Sequence, residues 1–349
     1  MLFKPIAEPR IIDEAYSPGQ VERLFALLRD EGPWPTVMAH HFATPEELIA
    51  STSGVVPPGA RLNWDDYVGP VFRGALGIGG TCLYPAIEDL FLNPKFLGLA
   101  RDYWGALHAR PELMQFSIAA PMVAGDLGHF DAMDFRGVVS SNTPAWLLNT
   151  MARSGLFERW IARKAQVIVW FYRGRIGGGF TYWPDGPSGR PKRLHAPMWN
   201  RGIVVQNEHM FHKADDAGPL ELRDNAGVRY QSLCGADPDS ADGWRITTDG
   251  AIVKRLPESE MRFMIHWSAE VFMDRADLAR ALEHKDDLTH QKVFDIFLAD
   301  LRARGIAARM PADPLGDRDF IALLTQSYRQ EVPRVSPEEE RALEAARLA

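Results

Sequence analysis

Between residues 112 and 272 the chain is a succession of short apolar runs, each stopped by Gly, Pro, Asn or Asp. LMQFSIAAP (113–121), GHFDAMDFRG (128–137), AQVIVWFYRG (165–174), GGFTYWPDGP (178–187), RGIVVQN (201–207), GWRITTDGAIVKRL (243–256) and MRFMIHWSAEVF (261–272) have the length and punctuation of strands. One stretch, 143–164, interrupts them with helical spacing through Trp146, Leu147, Met151, Leu156, Trp160 and Ile161. Strands that follow one another without a helix between each pair do not build a doubly wound parallel sheet. They pack as a sandwich or a barrel. The expectation is an α+β chain, mainly β in its core, with helices packed outside.

The flanks supply those helices. Residues 18–31 place Val21, Leu24, Phe25 and Leu28 on one face behind a Ser17-Pro18 start. Residues 52–82 are rich in Gly and Pro and read as loop. A helix follows at 94–107, with Phe96, Leu97, Leu99, Ala100 and Trp104 on its apolar side. After the strands come helices near 275–308, 317–330 and 336–348, the last opened by Ser336 and Pro337. With 349 residues, 46% of them hydrophobic, a sizeable core can be buried. The net charge of −7 has no basic excess, which argues against a nucleic-acid partner. No apolar run approaches the ~20 residues that span a bilayer, and MLFKPIAEPR has no signal-peptide core. Cys82 and Cys234 are too few and too far apart for a disulfide scaffold or a zinc finger. A cytoplasmic location is the expectation.

The chemistry gathers at Gly128-His129-Phe130-Asp131. On a strand, residues i and i+2 point to the same side, so His129 and Asp131 would project together. One imidazole and one carboxylate on one face are two members of a 2-His-1-carboxylate triad. The tripeptide alone is common, and a surface His–Asp pair is its ordinary meaning. Its company raises it. The run Arg201–Lys213 is an apolar strand that delivers histidines near its end, before Asp215, Asp216 and Gly218 break the chain. His209 and His212 compete there for the third place. Asp134, five residues beyond His129, would face away, and Asp126 falls on the loop side. His40, His41, His108, His195, His266, His284 and His290 have no carboxylate at strand spacing and read as surface or core residues. GALGIGG (74–80) and GRIGGG (174–179) lack the Lys-Ser/Thr ending of a phosphate loop and read as turns.

The His-X-Asp strand, Gly-Gly-Phe-Thr-Tyr-Trp-Pro-Asp-Gly at 178–186, the Gly202-to-His212 strand and an Arg-led final strand together form a pattern. Over residues 94 to 272 it resembles the Fe(II)/2-oxoglutarate oxygenase superfamily, nearest its phytanoyl-CoA-dioxygenase-like branch. The resemblance implies a jelly-roll, cupin-like double-stranded β-helix at 112–272, with insertions at about 143–164 and 220–258. Residues 1–111 and the helices of 273–349 would flank it within one catalytic domain. It implies Fe(II) as metal, 2-oxoglutarate and O2 as cosubstrates, and succinate and CO2 as products. In that family the distal His closes a strand that begins with Gly, and a basic residue follows it. His212-Lys213 fits this better than His209, so the implied ligands are His129, Asp131 and His212.

The family also pairs a basic residue of a late strand with the far carboxylate of 2-oxoglutarate. Arg262 takes that role here, its planar fork suited to a carboxylate. Arg223 or Arg229 replaces it if 220–258 is not an insertion. Thr181 and Trp183 are the cosubstrate-facing choice in the 178–187 run, with Tyr182 the choice if the alternation runs the other way. Halogenating relatives carry Gly or Ala where Asp131 stands, so its carboxylate implies hydroxylation, desaturation or cyclisation of an unactivated C–H bond. Phe135, Trp146, Trp199 and Phe211 lean the substrate toward a small, mostly apolar molecule. Two rivals remain. One is a cupin-like metalloenzyme, a dioxygenase or isomerase working without 2-oxoglutarate. The other is a non-catalytic jelly-roll binding protein, in which His129, Asp131 and His212 need not converge.

Overall fold

A computed structural model describes residues 3–51, 61–125 and 128–329 of the chain. Its strands, in chain order, are β1 (Arg10–Ile12), β2 (Trp34–Pro35), β3 (Val71–Ile78), β4 (Thr81–Cys82), β5 (His108–Ala119), β6 (Lys164–Tyr172), β7 (Phe180–Trp183), β8 (Lys192–Leu194), β9 (Met198–Val205), β10 (Phe211–Ala214), β11 (Leu233–Ala236), β12 (Gly243–Thr248), β13 (Ala251–Pro257) and β14 (Arg262–Phe272). A seven-stranded antiparallel sheet runs β1-β9-β6-β14-β5-β3-β4. A three-stranded sheet runs β10-β7-β8, and a four-stranded one β13-β12-β11-β2. The molecule is therefore mixed α and β around a large antiparallel sheet. Among the described residues the three ladders are separate and do not close into a barrel.

Alternation gives the large sheet two faces. One clusters Phe116, Val167, Phe171, Phe263 and Trp267 with Leu24, Leu28, Phe96 and Ala100 of the helices Pro18–Asp30 and Pro94–Trp104. The first helix is closed by a capping box between Ser17 and Gln20, as the Ser-Pro start suggests. The other, inner face clusters Ile168, Trp170, Ile203 and Val205 with Phe180, Tyr182 and Leu194 of the small sheet. Both faces being covered, all nine residues of β6 are buried. That is why its sequence from Val167 to Tyr172 is apolar on both faces instead of alternating. Each large side chain buried in this way stabilises the fold by about 1.5–3 kcal/mol. A third cluster, with Trp146, Leu147, Phe294, Phe297 and Phe320, joins helices Ala145–Ser154, His290–Ala303 and Arg318–Ser327.

Several sequence expectations are corrected. Residues 71–78, inside the expected loop 52–82, form β3. Gly74 and Gly77 are strand residues because other side chains occupy the space of a Cβ. One at Gly74 would lie 2.6 Å from Trp34 and 2.7 Å from Phe116, and one at Gly77 2.5 Å from Phe91. The 128–137 segment is not a strand; it makes isolated bridges at His129 and Phe135. The helix expected at 143–164 spans Ala145–Ser154, with a separate 3-10 turn at Glu158–Trp160. The run from Gly202 to His212 is not one strand. β9 stops at Val205 in the large sheet, and β10 starts at Phe211 in the small one. The 243–256 run is the hairpin β12–β13. The helical stretch 275–308 divides into Arg275–Leu282 and His290–Ala303. The helix expected at 336–348 lies outside the described residues. Cys82 and Cys234 are free thiols, and no described helix is long and apolar enough to cross a membrane.

Candidate metal centre

The site forms where the 128–131 segment meets β10. Gly128 has φ +99°, and a Cβ there would run into the Phe211 ring, so the position needs glycine. His129 and His212 then exchange both backbone hydrogen bonds, N to O at 2.9 and 3.0 Å. Residues directly opposite in an antiparallel pair put their side chains on the same face. The two rings accordingly sit with centroids 4.4 Å apart. Asp131 is tied to the same stretch by its N–H, which donates to the Asn207 carbonyl at 3.2 Å. Its Oδ1 lies 3.7 Å from His129 Nε2 and 3.5 Å from His212 Nε2. One ligand atom from each of the three residues falls within 4.8 Å of the others.

The surroundings prepare these atoms for a cation. His212 Nδ1 donates to the Met210 carbonyl at 2.9 Å, which leaves Nε2 as the ligand nitrogen. Gln166 of β6 donates from Nε2 to Asp131 Oδ2 at 3.0 Å, and its Oε1 accepts from Asn207 N at 2.8 Å. One amide thus holds Oδ2 while Oδ1 faces both imidazoles. Burial alone would raise the Asp131 carboxyl. His212, His266, His129 and Arg73 outweigh it and hold the group below the ordinary carboxylate range. An ionised carboxylate and two imidazole nitrogens are the donor set of a facial triad for Fe(II). Removing the Gln166 contact in Gln166→Leu should weaken metal binding by about 10- to 100-fold with the fold intact. A metal titration checks this, and unchanged affinity would show that Gln166 does not orient Asp131.

Other sequence candidates separate cleanly. His209, on the turn between β9 and β10, is outside the triad and lines a shallow cleft with Lys4, Trp104 and Arg163. Asp134 is bound to Lys164 and is not one of the three clustered ligands; Asp126 lies outside the described residues. The register pairs His212 with Tyr182, so Tyr182 and Phe180 share its side of the small sheet. Thr181 and Trp183 are on the opposite side, and this corrects their choice as cosubstrate-facing residues. Thr181 donates to Asp215 at 2.7 Å, and Trp183 packs on Phe211 at 5.0 Å. Arg223 is bound to Asp216 and Arg229 to Asp65. Arg262 opens β14 and is buried. It donates to the carbonyls of Gly178 at 2.8 Å and Gly179 at 3.4 Å. Phe135 and Trp146 fill the helical core, Trp199 packs on Phe25, and Phe211 lies on the outer side of β10. The residues that suggested an apolar pocket are thus spent on packing.

Sequence reasoning missed four neighbours. Arg73, Gln115, Ser117 and His266 reach the inner face from β3, β5 and β14. The alternation Arg262, Met264, His266 was a usable signal for His266, since these three share a face. Arg73 gave none, because its strand reads as loop.

Glu208, on the turn beside the site, is raised to about 8 by burial, against the opposing pull of Lys164. The folded chain therefore keeps a proton that the unfolded chain releases above the ordinary value of 4.5. Stability falls as pH rises between those values. Glu208→Gln should melt like the wild type near pH 4 and above it near pH 8. Identical melting temperatures across that series would refute the assignment.

No family model matches the chain, and no curated protein matches it. Among solved structures it is similar to an oxidoreductase of the 2OG-Fe(II) oxygenase family from Burkholderia pseudomallei. That likeness has 11% identity, covers 75% of this chain and 85% of the other, and has a TM-score of 0.40. It is also similar to a prolyl hydroxylase from Trichoplax adhaerens, solved with a peptide fragment of hypoxia inducible factor. There the identity is 9%, the coverage 76% and 84%, and the TM-score 0.34. A ribosomal oxygenase from Escherichia coli matches at 10% identity over 97% of this chain and 62% of its own, with a TM-score of 0.26.

Proposed function

We propose that the chain is a non-haem Fe(II), 2-oxoglutarate-dependent oxygenase acting on a small molecule. The observation that carries the reading is the convergence of His129, Asp131 and His212, with Asp131 Oδ1 turned toward both rings. Such a set binds from one side and leaves the remaining positions for other ligands. When bound, the iron and 2-oxoglutarate supply the O2 chemistry that oxidises an unactivated C–H bond, with succinate and CO2 as products. The chain's part is positioning. The His129–His212 backbone pair sets the ring separation, Met210 sets the His212 tautomer, and Gln166 aims Asp131. Phe180, 5.5 Å from the His212 ring, covers one side of it with apolar surface. Arg262 is the candidate cation for the far carboxylate of 2-oxoglutarate. The carboxylate at 131 fits hydroxylation, desaturation or cyclisation.

We read the fold as a double-stranded β-helix, a jelly roll within one catalytic domain. Support comes from the path of the chain, which alternates between sheets. β5 lies in the large sheet, residue 129 bridges to the small one, and β6 returns to the large. β7 and β8 lie in the small sheet, β9 in the large, β10 in the small and β14 in the large. Residues 220–258 then form an insertion before the last strand.

The test is to add Fe(II) and 2-oxoglutarate to metal-free protein without oxygen and look for the visible charge-transfer band of the chelate. A band that Asp131→Ala and His212→Ala lose supports the reading. Fully loaded iron with no band would sink it in favour of a metalloenzyme working without 2-oxoglutarate. Failure to bind iron would favour the binding-protein rival.

A further inference from the structure

The inner face carries polar groups that the triad does not use. Arg73 of β3 is in register with Ser117 of β5, and its Nε donates to Ser117 Oγ at 3.0 Å. Its Nη1 meets His41 Nε2 at 2.6 Å, where burial holds the His41 ring neutral and able to accept. One rung along, Gln115 of β5 pairs with His266 of β14, and Gln115 Nε2 lies 3.3 Å from His266 Nδ1. An amide N–H can only donate, so Nδ1 accepts and the neutral ring carries its proton on Nε2. That Nε2–H is buried and has no partner among the described residues, on a residue 9% exposed. A buried donor without an acceptor is destabilising, so its place asks for an acceptor. The acid that both Arg73 and His266 feel is Asp131. With Asp131 engaged as a metal ligand, the guanidinium needs another anion.

We propose that Arg73 and His266, backed by Ser117 and Gln115, form a carboxylate-binding subsite beside the triad. A guanidinium fork takes both oxygens of a carboxylate, and the His266 Nε2–H adds a third donor. Arg262 is worse placed. Two carbonyls occupy its Nε and Nη2, as Ser117 and His41 occupy Nε and Nη1 of Arg73, so position along the strand is what separates the two. It stands four residues from His266, about 13 Å along the strand, with Met264 and Trp170 on the same face between them. Resting on the oxygenase reading, the carboxylate has two sources. One is the far end of 2-oxoglutarate; the other is a carboxylate on the molecule to be oxidised.

Calorimetry on the full chain loaded with Mn(II) separates them, using wild type, Arg73→Gln, Arg73→Lys and Arg262→Gln. The first pair of probes is 2-oxoglutarate and 2-oxobutyrate, which keeps the chelating end and lacks the far carboxylate. The second pair is phenylacetate and its neutral twin phenylacetamide. If the subsite serves the cosubstrate, Arg73→Gln weakens 2-oxoglutarate by about 10- to 150-fold, the range for charged hydrogen bonds. Its 2-oxobutyrate affinity stays the same, which also shows that the variant is folded. Arg73→Lys falls between, and Arg262→Gln has the smaller effect. If the subsite serves the substrate, 2-oxoglutarate is unaffected, and the wild-type preference for phenylacetate over phenylacetamide disappears in Arg73→Gln. The proposal is overturned if Arg73→Gln leaves both ratios as in the wild type, whatever Arg262→Gln does to the first. A wild type that binds neither 2-oxo acid sinks the oxygenase reading instead. The subsite is then decided by the phenylacetate pair alone, and no preference there overturns it too.

Discussion

Asp131→Ala should abolish 2-oxoglutarate turnover and weaken Fe(II) binding by more than about 100-fold, the upper end of what changes one shell further out cost. The reason is that Asp131 supplies the triad's only charge and the atom that faces both imidazoles. His129 and His212 would remain paired through their backbones, because those bonds do not involve the carboxylate. The deficit should therefore appear in metal affinity with little change in the melting temperature of the metal-free protein. Gln166 would lose its acceptor but keep its bond to Asn207 N. A metal titration beside a melting curve checks both halves. Wild-type affinity in the folded variant would remove Asp131 from the metal and end the case for the centre.

The largest expected loss of stability is at Lys164→Met. Lys164 Nζ lies 2.5 Å from Asp134 Oδ2 and 2.9 Å from Glu112 Oε2. Burial works to lower this amine, yet Asp134 and Glu112 outweigh it and push it above the ordinary lysine range. Asp134, with a side chain only 4% exposed, also accepts from Ser140 N at 2.7 Å. Truncating the lysine strands that carboxylate in the interior. Breaking a buried pair from one side costs about 3–5 kcal/mol. Lys164→Met should melt well below the wild type, and the double variant Lys164→Met with Asp134→Leu should recover much of the loss. Equal denaturation midpoints for Lys164→Met and wild type would show that the pair is solvated. Metal affinity should fall with the stability, because Asp134 lies three residues beyond Asp131 on the segment that carries the triad.

How far the site was legible depends on the residue. His129 and Asp131 stand two apart, and local geometry places such a pair together whether or not a full strand forms. The segment is in fact irregular, yet the bridge at His129 gives the facing that a strand would have given. His212 was reachable only through resemblance, since the expected continuous strand does not exist. Spacing alone could not tell it from His209. What separates them is the turn of residues 206–210, which moves the chain from the large sheet to the small one and turns His209 away. Thr181 and Trp183 were misjudged because alternation gives two faces without saying which is inward. The partner decides that, through the pairing of Tyr182 with His212.

By itself the sequence determined the elements whose cause is local. These are the capped helix at Pro18–Asp30, the buried strands of the central block and the His-X-Asp pair. Each follows from a spacing, a cap or a turn residue that acts within a few positions. Only the tertiary structure decided what depends on distant neighbours. Gly74 and Gly77 look like a turn until Trp34, Phe116 and Phe91 fill the space beside them and make a strand that carries Arg73 inward. Gln166 is one polar residue in an apolar run until Asp131 and Asn207 arrive from elsewhere in the chain to claim its amide. Hydrogen bonds and packing between segments far apart in sequence have no signature in either segment alone.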